Sequence, residues 1–351
     1  MLMRAFPDTT RPLIPRSGTR LSATLAAVLV ITIVVGGCTT GSAPSTSASS
    51  ASPAPTPETV SVTRDIPYES ASDILAAGVL DVYVPTEGDN WPVVVMLHGE
   101  PSVATKSYLA RYATAVAAEG YLVYVPTWGY SGGDNYRGAS MTDQLVADGG
   151  QAACAVAFAR SDAATRHGGP QLIVFGHSAG GNIAAQVAFG RPEPSPGCLG
   201  GRSLGAIDAL VTWEGDWLVG DPSWDSVLAD DPRPFDLITP WKHLSEYPEM
   251  RVVLLVTDNT LSRSMSNASA IDAFLAARDA TGRLRPVLEA EGAFDDGIFG
   301  LDEEQTLLYD VLRAQGNPVT LDLMPGSSHE TVGDEGWPVF IAAFAKALGP
   351  A

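Results

Sequence analysis

The residues most suited to chemistry are grouped around Ser178, which stands in Gly176-His177-Ser178-Ala179-Gly180. Four bulky apolar residues, 172–175, precede this group, and a helix-compatible run, 182–188, follows it. Four such residues in a row read as a strand buried on both faces. No residues remain for a loop, so the chain must turn sharply from strand into helix. That corner, the Gly-x-Ser-x-Gly nucleophile elbow, holds the serine in a strained backbone conformation and lifts its hydroxyl clear of the sheet. Glycine is required at 176 and 180 because a Cβ there would collide with the facing strand or helix. The helix N-terminus adds partial positive charge where an oxyanion would form. Ser178 is therefore the candidate nucleophile.

A serine hydroxyl is a weak nucleophile until a neighbouring base takes its proton, and imidazole titrates in the useful range. His329 lies in Pro325-Gly326-Ser327-Ser328-His329-Glu330, a turn that follows an apolar strand pattern at 319–324. Open parallel sheets keep their sites at this carboxyl edge. His177 sits inside the elbow and His98 ends a strand, so both read as structural; His167 and His243 fall in expected loops. His329 is the candidate base. An oxyanion hole needs two backbone N–H groups aimed at the developing charge. Ala179 is expected to supply one, and Glu100, in the turn after His98-Gly99, the other. The Glu100 side chain must then point away or serve substrate binding.

The elements that must position these groups alternate. Strands are expected over 80–85, 91–99, 121–126, 172–175, 206–213, 252–256 and 319–324. Helices are expected over 108–119, 143–164, 182–188, 266–279, 302–315 and 337–348. This order specifies an α/β fold, a doubly wound and mostly parallel sheet covered on both faces. Residues 214–250 are rich in Trp, Pro and Asp with little periodicity, as in a short lid or insertion. Trp213, which ends the preceding strand, and Trp217, Trp224 and Trp241 within this stretch suit an acyl pocket or ordinary packing equally well.

At 351 residues and 45% hydrophobic content, the chain suits one large domain with a tail. A net charge of −19 argues against nucleic acid or an anionic membrane surface as partner. The histidines and cysteines show no metal-ligand spacing, and no cofactor motif is present, so neither metal nor organic cofactor is expected.

Residues 1–20 carry Arg4, Arg11, Arg16 and Arg20, and 21–35 form an apolar run of signal-peptide length, too short for an ordinary membrane span. Val35-Gly36-Gly37-Cys38 closes it and resembles a bacterial lipobox. The resemblance implies that Cys38 is lipidated, that 1–38 is a lipoprotein signal peptide, and that the protein is anchored on the outer face of the cell membrane or released from it. A plain secretory signal cut nearby is the alternative. Residues 39–60 are rich in Ser, Thr, Ala and Pro and read as a flexible linker, leaving 61–351 as the folded domain. Export favours a disulfide between the two remaining cysteines, Cys154 and Cys198.

Over roughly 60–350, the order of parts is similar to the α/β-hydrolase fold. Gly-His-Ser-Ala-Gly-Gly at 176–181 and His98-Gly99 resemble bacterial carboxylesterases of the dienelactone-hydrolase and lipase-like groups. That resemblance implies a triad in the chain order Ser, acid, His. For the acid, Asp258 directly follows strand 252–256. Asp295 instead fits the family's Gly-x-x-Asp, in Gly292-Ala293-Phe294-Asp295, and its distance from His329 is of the family's order. Choosing Asp295 requires an insertion over 262–290; Asp296 is a third candidate. The implied activity is hydrolysis of a small-molecule or polymeric carboxylic ester through an acyl-enzyme. A peptidase or thioesterase on the same triad, and a non-catalytic binding protein on the same fold, are the alternatives.

Overall fold

The computed structural model describes residues 59–71, 78–100, 104–129, 141–215, 243–259, 262–264 and 298–349. Cys38, the expected signal peptide and most of the expected linker lie outside these residues, as do Trp217, Trp224, Trp241, the expected helix 266–279, Asp295 and Asp296.

Eight strands form one sheet: β1 (Val60–Pro67), β2 (Val79–Pro85), β3 (Trp91–Leu97), β4 (Leu122–Pro126), β5 (Gly168–His177), β6 (Ala209–Trp213), β7 (Arg251–Asn259) and β8 (Val319–Ser328). Their spatial order is β1-β2-β4-β3-β5-β6-β7-β8. Only β2 runs antiparallel to its neighbours; from β4 to β8 every pairing is parallel. Residues 262–264 and 298–300 pair separately as a short antiparallel ladder.

Parallel strands need crossover helices, and these cover both faces of the sheet. Side chains alternate between faces along each strand. Val93, Val95, Leu172, Val174, Leu210 and Leu254 pack on the side of α2 (Met141–Ala163), α3 (Ala179–Ala185) and α4 (Leu301–Gln315). Val94, Met96, Ile173, Phe175, Val211 and Leu255 pack on the side of α1 (Ala110–Ala118) and α5 (Trp337–Leu348). With both faces covered, the central strands are apolar at nearly every position, which is why they read as continuous runs in the sequence.

The expected α/β architecture is present, with differences at its edges. β1 was not foreseen: most of its residues are exposed, so its sequence carries little of the apolar signal that marks a strand. The first turn of the expected helix 108–119 is a 3₁₀ turn, Lys106–Leu109. The helix after the elbow is short and ends in a π turn, Gln186–Gly190. The last strand runs on to Ser328 and so delivers the chain directly to His329.

The expected disulfide joins Cys154 on α2 to Cys198, beyond α3, across a sequence separation of 44. Closing a loop of that order restricts the unfolded chain and stabilises by about 2–4 kcal/mol. A Cys154→Ser/Cys198→Ser variant should lose about that much in urea unfolding without reductant. An unchanged midpoint would contradict this role for the bridge.

Candidate active site

The corner after β5 has the geometry its sequence demands. Ser178 adopts φ 55°, ψ −127°, a left-handed region that costs a non-glycine residue about 1–3 kcal/mol. Its backbone is pinned on both sides: the Ser178 N–H donates to the Trp213 carbonyl at 3.0 Å, and the Ser178 carbonyl accepts from Gly181 N–H at 2.8 Å. A Cβ on Gly176 would run into the Gly180 carbonyl, and one on Gly180 into the His98 carbonyl. The collisions expected at both glycines are therefore present, and they leave the serine hydroxyl half-buried at the carboxyl edge of the sheet.

His329 meets that hydroxyl. Its Nε2 lies 3.1 Å from Ser178 Oγ, and its Nδ1 lies 2.8 Å from Oε2 of Glu214. A carboxylate only accepts, so the Nδ1 nitrogen carries the proton and Nε2 is left as the acceptor facing the serine. Glu214 is fully buried. Its other oxygen, Oε1, accepts from the Thr257 backbone N–H at 3.0 Å and from the Thr257 hydroxyl. The Glu214 backbone sits at φ 42° and donates to the Leu255 carbonyl at 2.9 Å. Gln305 of α4 secures the turn, accepting from the Thr212 hydroxyl and donating to the Gly215 carbonyl at 2.6 Å.

The carboxylate that meets His329 is not one of the three aspartates the sequence offers. Those aspartates lie on β7 or after it, whereas the carboxylate on His329 is Glu214, directly after β6. Nδ1–H has one hydrogen bond to donate, and Glu214 Oε2 accepts it. Asp258 has a different job: its Oδ2 accepts from the Gly326 N–H at 2.9 Å, bracing the turn that leads to His329. Asp295 and Asp296, weighed for the same place, lie outside the described residues. The sequence held one signal for Glu214, a glutamate followed by glycine at the end of an apolar strand, one crossover after the elbow. Family spacing points past it, to the aspartates after β6.

The other expected residues fall as follows. Ala179 is the first residue of α3, where helical geometry leaves N–H groups without an acceptor in the helix. Glu100 is exposed, and its carbonyl accepts from the Ala104 N–H at 2.8 Å. His98 and His177, read as structural, are both buried. His98 donates from Nδ1 to the Gly99 carbonyl at 2.9 Å and accepts from Trp128 N–H at Nε2. His177 donates from Nε2 to the His329 carbonyl at 2.7 Å. Burial lowers the pKa of His98 to about 4. For His177, burial and then the neighbouring His329 lower it to about 3. Trp213 is fully buried against the His177 ring, with centroids 4.4 Å apart, so it packs in the core rather than lining a pocket.

No protein-family model matches the chain, and no curated protein matches it. Solved structures do. Esterase B from Lactobacillus rhamnosis, in a C6-C4 SN3 inhibited form, superposes with a TM-score of 0.52 at 17% identity, over 83% of this chain and 86% of that one. Brefeldin A esterase, a bacterial homologue of human hormone sensitive lipase, gives 0.50 at 15% identity, over 83% and 74%. A truncated carbohydrate esterase from gut microbiota gives 0.50 at 17% identity, over 85% and 100%. At these identities the likeness is one of fold, and that fold is the α/β-hydrolase fold.

The two depressed histidines set an acid limit on stability. Above pH 6.5, the ordinary imidazole value, both are neutral in either state and their contribution is complete. Below it the unfolded chain binds protons that the folded chain refuses until about pH 4 at His98 and about pH 3 at His177. Each should therefore remove about 1.4 kcal/mol of stability per pH unit as pH falls through that window. Urea unfolding of His98→Gln between pH 6 and 4.5 should show a slope shallower than wild type by about that amount. Equal slopes would contradict the assignment.

Proposed function

We propose that this protein is a serine hydrolase of carboxylic esters, with Ser178 as nucleophile, His329 as base and Glu214 as the acid that orients it. The observation that carries this reading is the continuous chain of hydrogen bonds from Glu214 Oε2 through His329 to Ser178 Oγ. A binding protein has no use for an imidazole fixed in the one tautomer that can accept a serine proton.

In this mechanism Ser178 Oγ attacks the ester carbonyl carbon while His329 Nε2 takes its proton, forming an imidazolium held by Glu214. The tetrahedral oxyanion is met by the Ala179 N–H and by the N–H of Glu100 in the turn after Gly99. Collapse expels the alcohol, which leaves with the proton from His329, and an acyl-enzyme remains on Ser178. Water then attacks the acyl carbon, giving its proton to His329 Nε2, and on collapse the C–Oγ bond breaks as His329 returns that proton to Ser178 Oγ and the acid is released. Ester rather than amide substrates are supported by the names of the fold's neighbours, among them esterase B inhibited by a tributyrin phosphonate.

The exported setting belongs to the same proposal. Lipid modification of Cys38 would hold the domain outside the cell on the 39–60 linker, and the Cys154–Cys198 bridge suits an oxidising compartment. Palmitate labelling in cells should mark the protein and be lost in Cys38→Ser; equal labelling would refute the anchor.

Glu214→Gln should lower kcat on p-nitrophenyl butyrate by about 10³–10⁴-fold, because the amide presents the wrong hydrogen-bonding face to Nδ1. Ser178→Ala should fall at least as far. Asp258→Asn, which keeps an acceptor for the Gly326 N–H, should stay within a few-fold of wild type. A large loss in Asp258→Asn with an active Glu214→Gln would reverse the assignment of the acid.

A further inference from the structure

We infer that His177, the residue before the nucleophile, is a positioning residue for the reaction, tying the main chain of His329 to the corner that carries Ser178. The inference rests on the hydrolase reading above and adds a residue that this reading does not use.

The bond is direct: His177 Nε2 stands 2.7 Å from the His329 carbonyl oxygen, and a carbonyl only accepts, so Nε2 carries the proton. The cost of this arrangement shows that the bond matters. With its proton on Nε2, the ring leaves Nδ1 buried without a hydrogen-bond partner among the described residues, a loss of about 1–3 kcal/mol that an apolar side chain at 177 would avoid. Packing alone therefore does not explain an imidazole here. The ring is held in register by Trp213 on one side, at 4.4 Å between centroids, and by Tyr108, stacked at 5.1 Å with an interplanar angle of 27°. Tyr108 then repeats the device, its hydroxyl donating to the Glu330 carbonyl at 2.9 Å. Two stacked side chains so hold two consecutive carbonyls of the base loop.

The base needs this help. His329 and Ser178 are 151 residues apart in sequence, and their side chains must meet at 3.1 Å. A displacement of about 1 Å in such a pair costs on the order of a hundredfold in rate. Fastening residue 329 to residue 177 removes most of that freedom. Burial also keeps His177 neutral to about pH 3, so it adds no positive charge beside the imidazolium that forms in turnover.

The test is a kcat and KM comparison on p-nitrophenyl butyrate. His177→Phe keeps a ring between Tyr108 and Trp213 but removes the donor; His177→Gln places an amide N–H at a similar reach. We expect His177→Phe to lose about tenfold to a hundredfold in kcat with KM little changed, and His177→Gln to regain most of the loss. Tyr108→Phe, which removes a hydroxyl at a partly exposed position, should lose several-fold in kcat and keeps the test open should His177→Phe fail to fold. Wild-type kcat in His177→Phe or, if that variant does not fold, in Tyr108→Phe would overturn the inference. So would equal losses in the folded Phe and Gln variants. Ester turnover that survives Ser178→Ala would instead overturn the hydrolase reading itself.

Discussion

Parallel register between neighbouring strands sets the distance on which this site depends. His177 pairs with Trp213 across β5 and β6, Trp213 with Leu255 across β6 and β7, and Met324 with Thr257 across β7 and β8. All four strands therefore run in one direction, and β7 and β8 carry on past the ends of β5 and β6, with Ser328 paired to Asn259. Each end contributes one part: Ser178 after β5, Glu214 after β6, Thr257 and Asp258 on β7, and His329 after β8. A shift of one residue in any of these pairings would turn the corresponding side chain to the opposite face. The buried apolar layers on both sides of the sheet hold the register through Met324, beyond which β8 shifts against β7 before Ser328 pairs with Asn259.

The register alone does not make a carboxylate tolerable at a fully buried position. An isolated ionised group there would be expensive, and its cost is offset only when its acceptors are filled. Glu214 has Thr257 on one oxygen and His329 on the other. The same bonds that let it stay buried therefore also fix the imidazole. Ser178 and Glu214 both adopt positive φ, and both are held there by backbone bonds to the next strand. Strain at two adjacent strand ends is the local expense of aiming two side chains at one ring.

What the sequence revealed follows from how local each signal is. The elbow is local: a buried strand, glycines two residues either side of a serine and a helix, all within a short stretch. His329 is nearly as local, since a histidine in a glycine-serine turn after the last strand has few other uses. Glu214 is not local. Its role depends on β6 lying beside β5, on β7 supplying Thr257, and on a reach across to β8, none of which is encoded in spacing to Ser178 or His329. Asp258 shows the converse, for it stands where an acid was expected yet its oxygen is spent on the Gly326 N–H. His177 reads from the sequence as structural, and in the fold it is; what its neighbours in sequence do not show is the His329 carbonyl opposite its Nε2.

In the proposed mechanism one alcohol oxygen is made reactive by a ring that a buried glutamate holds in place. The most direct measurement is the site and rate of reaction with a fluorophosphonate, followed by intact mass and peptide mapping in wild type and Glu214→Gln. A single phosphonyl adduct on Ser178, formed far more slowly in Glu214→Gln, is the predicted result. An unlabelled wild type, an adduct elsewhere, or equal rates in the two proteins would contradict it.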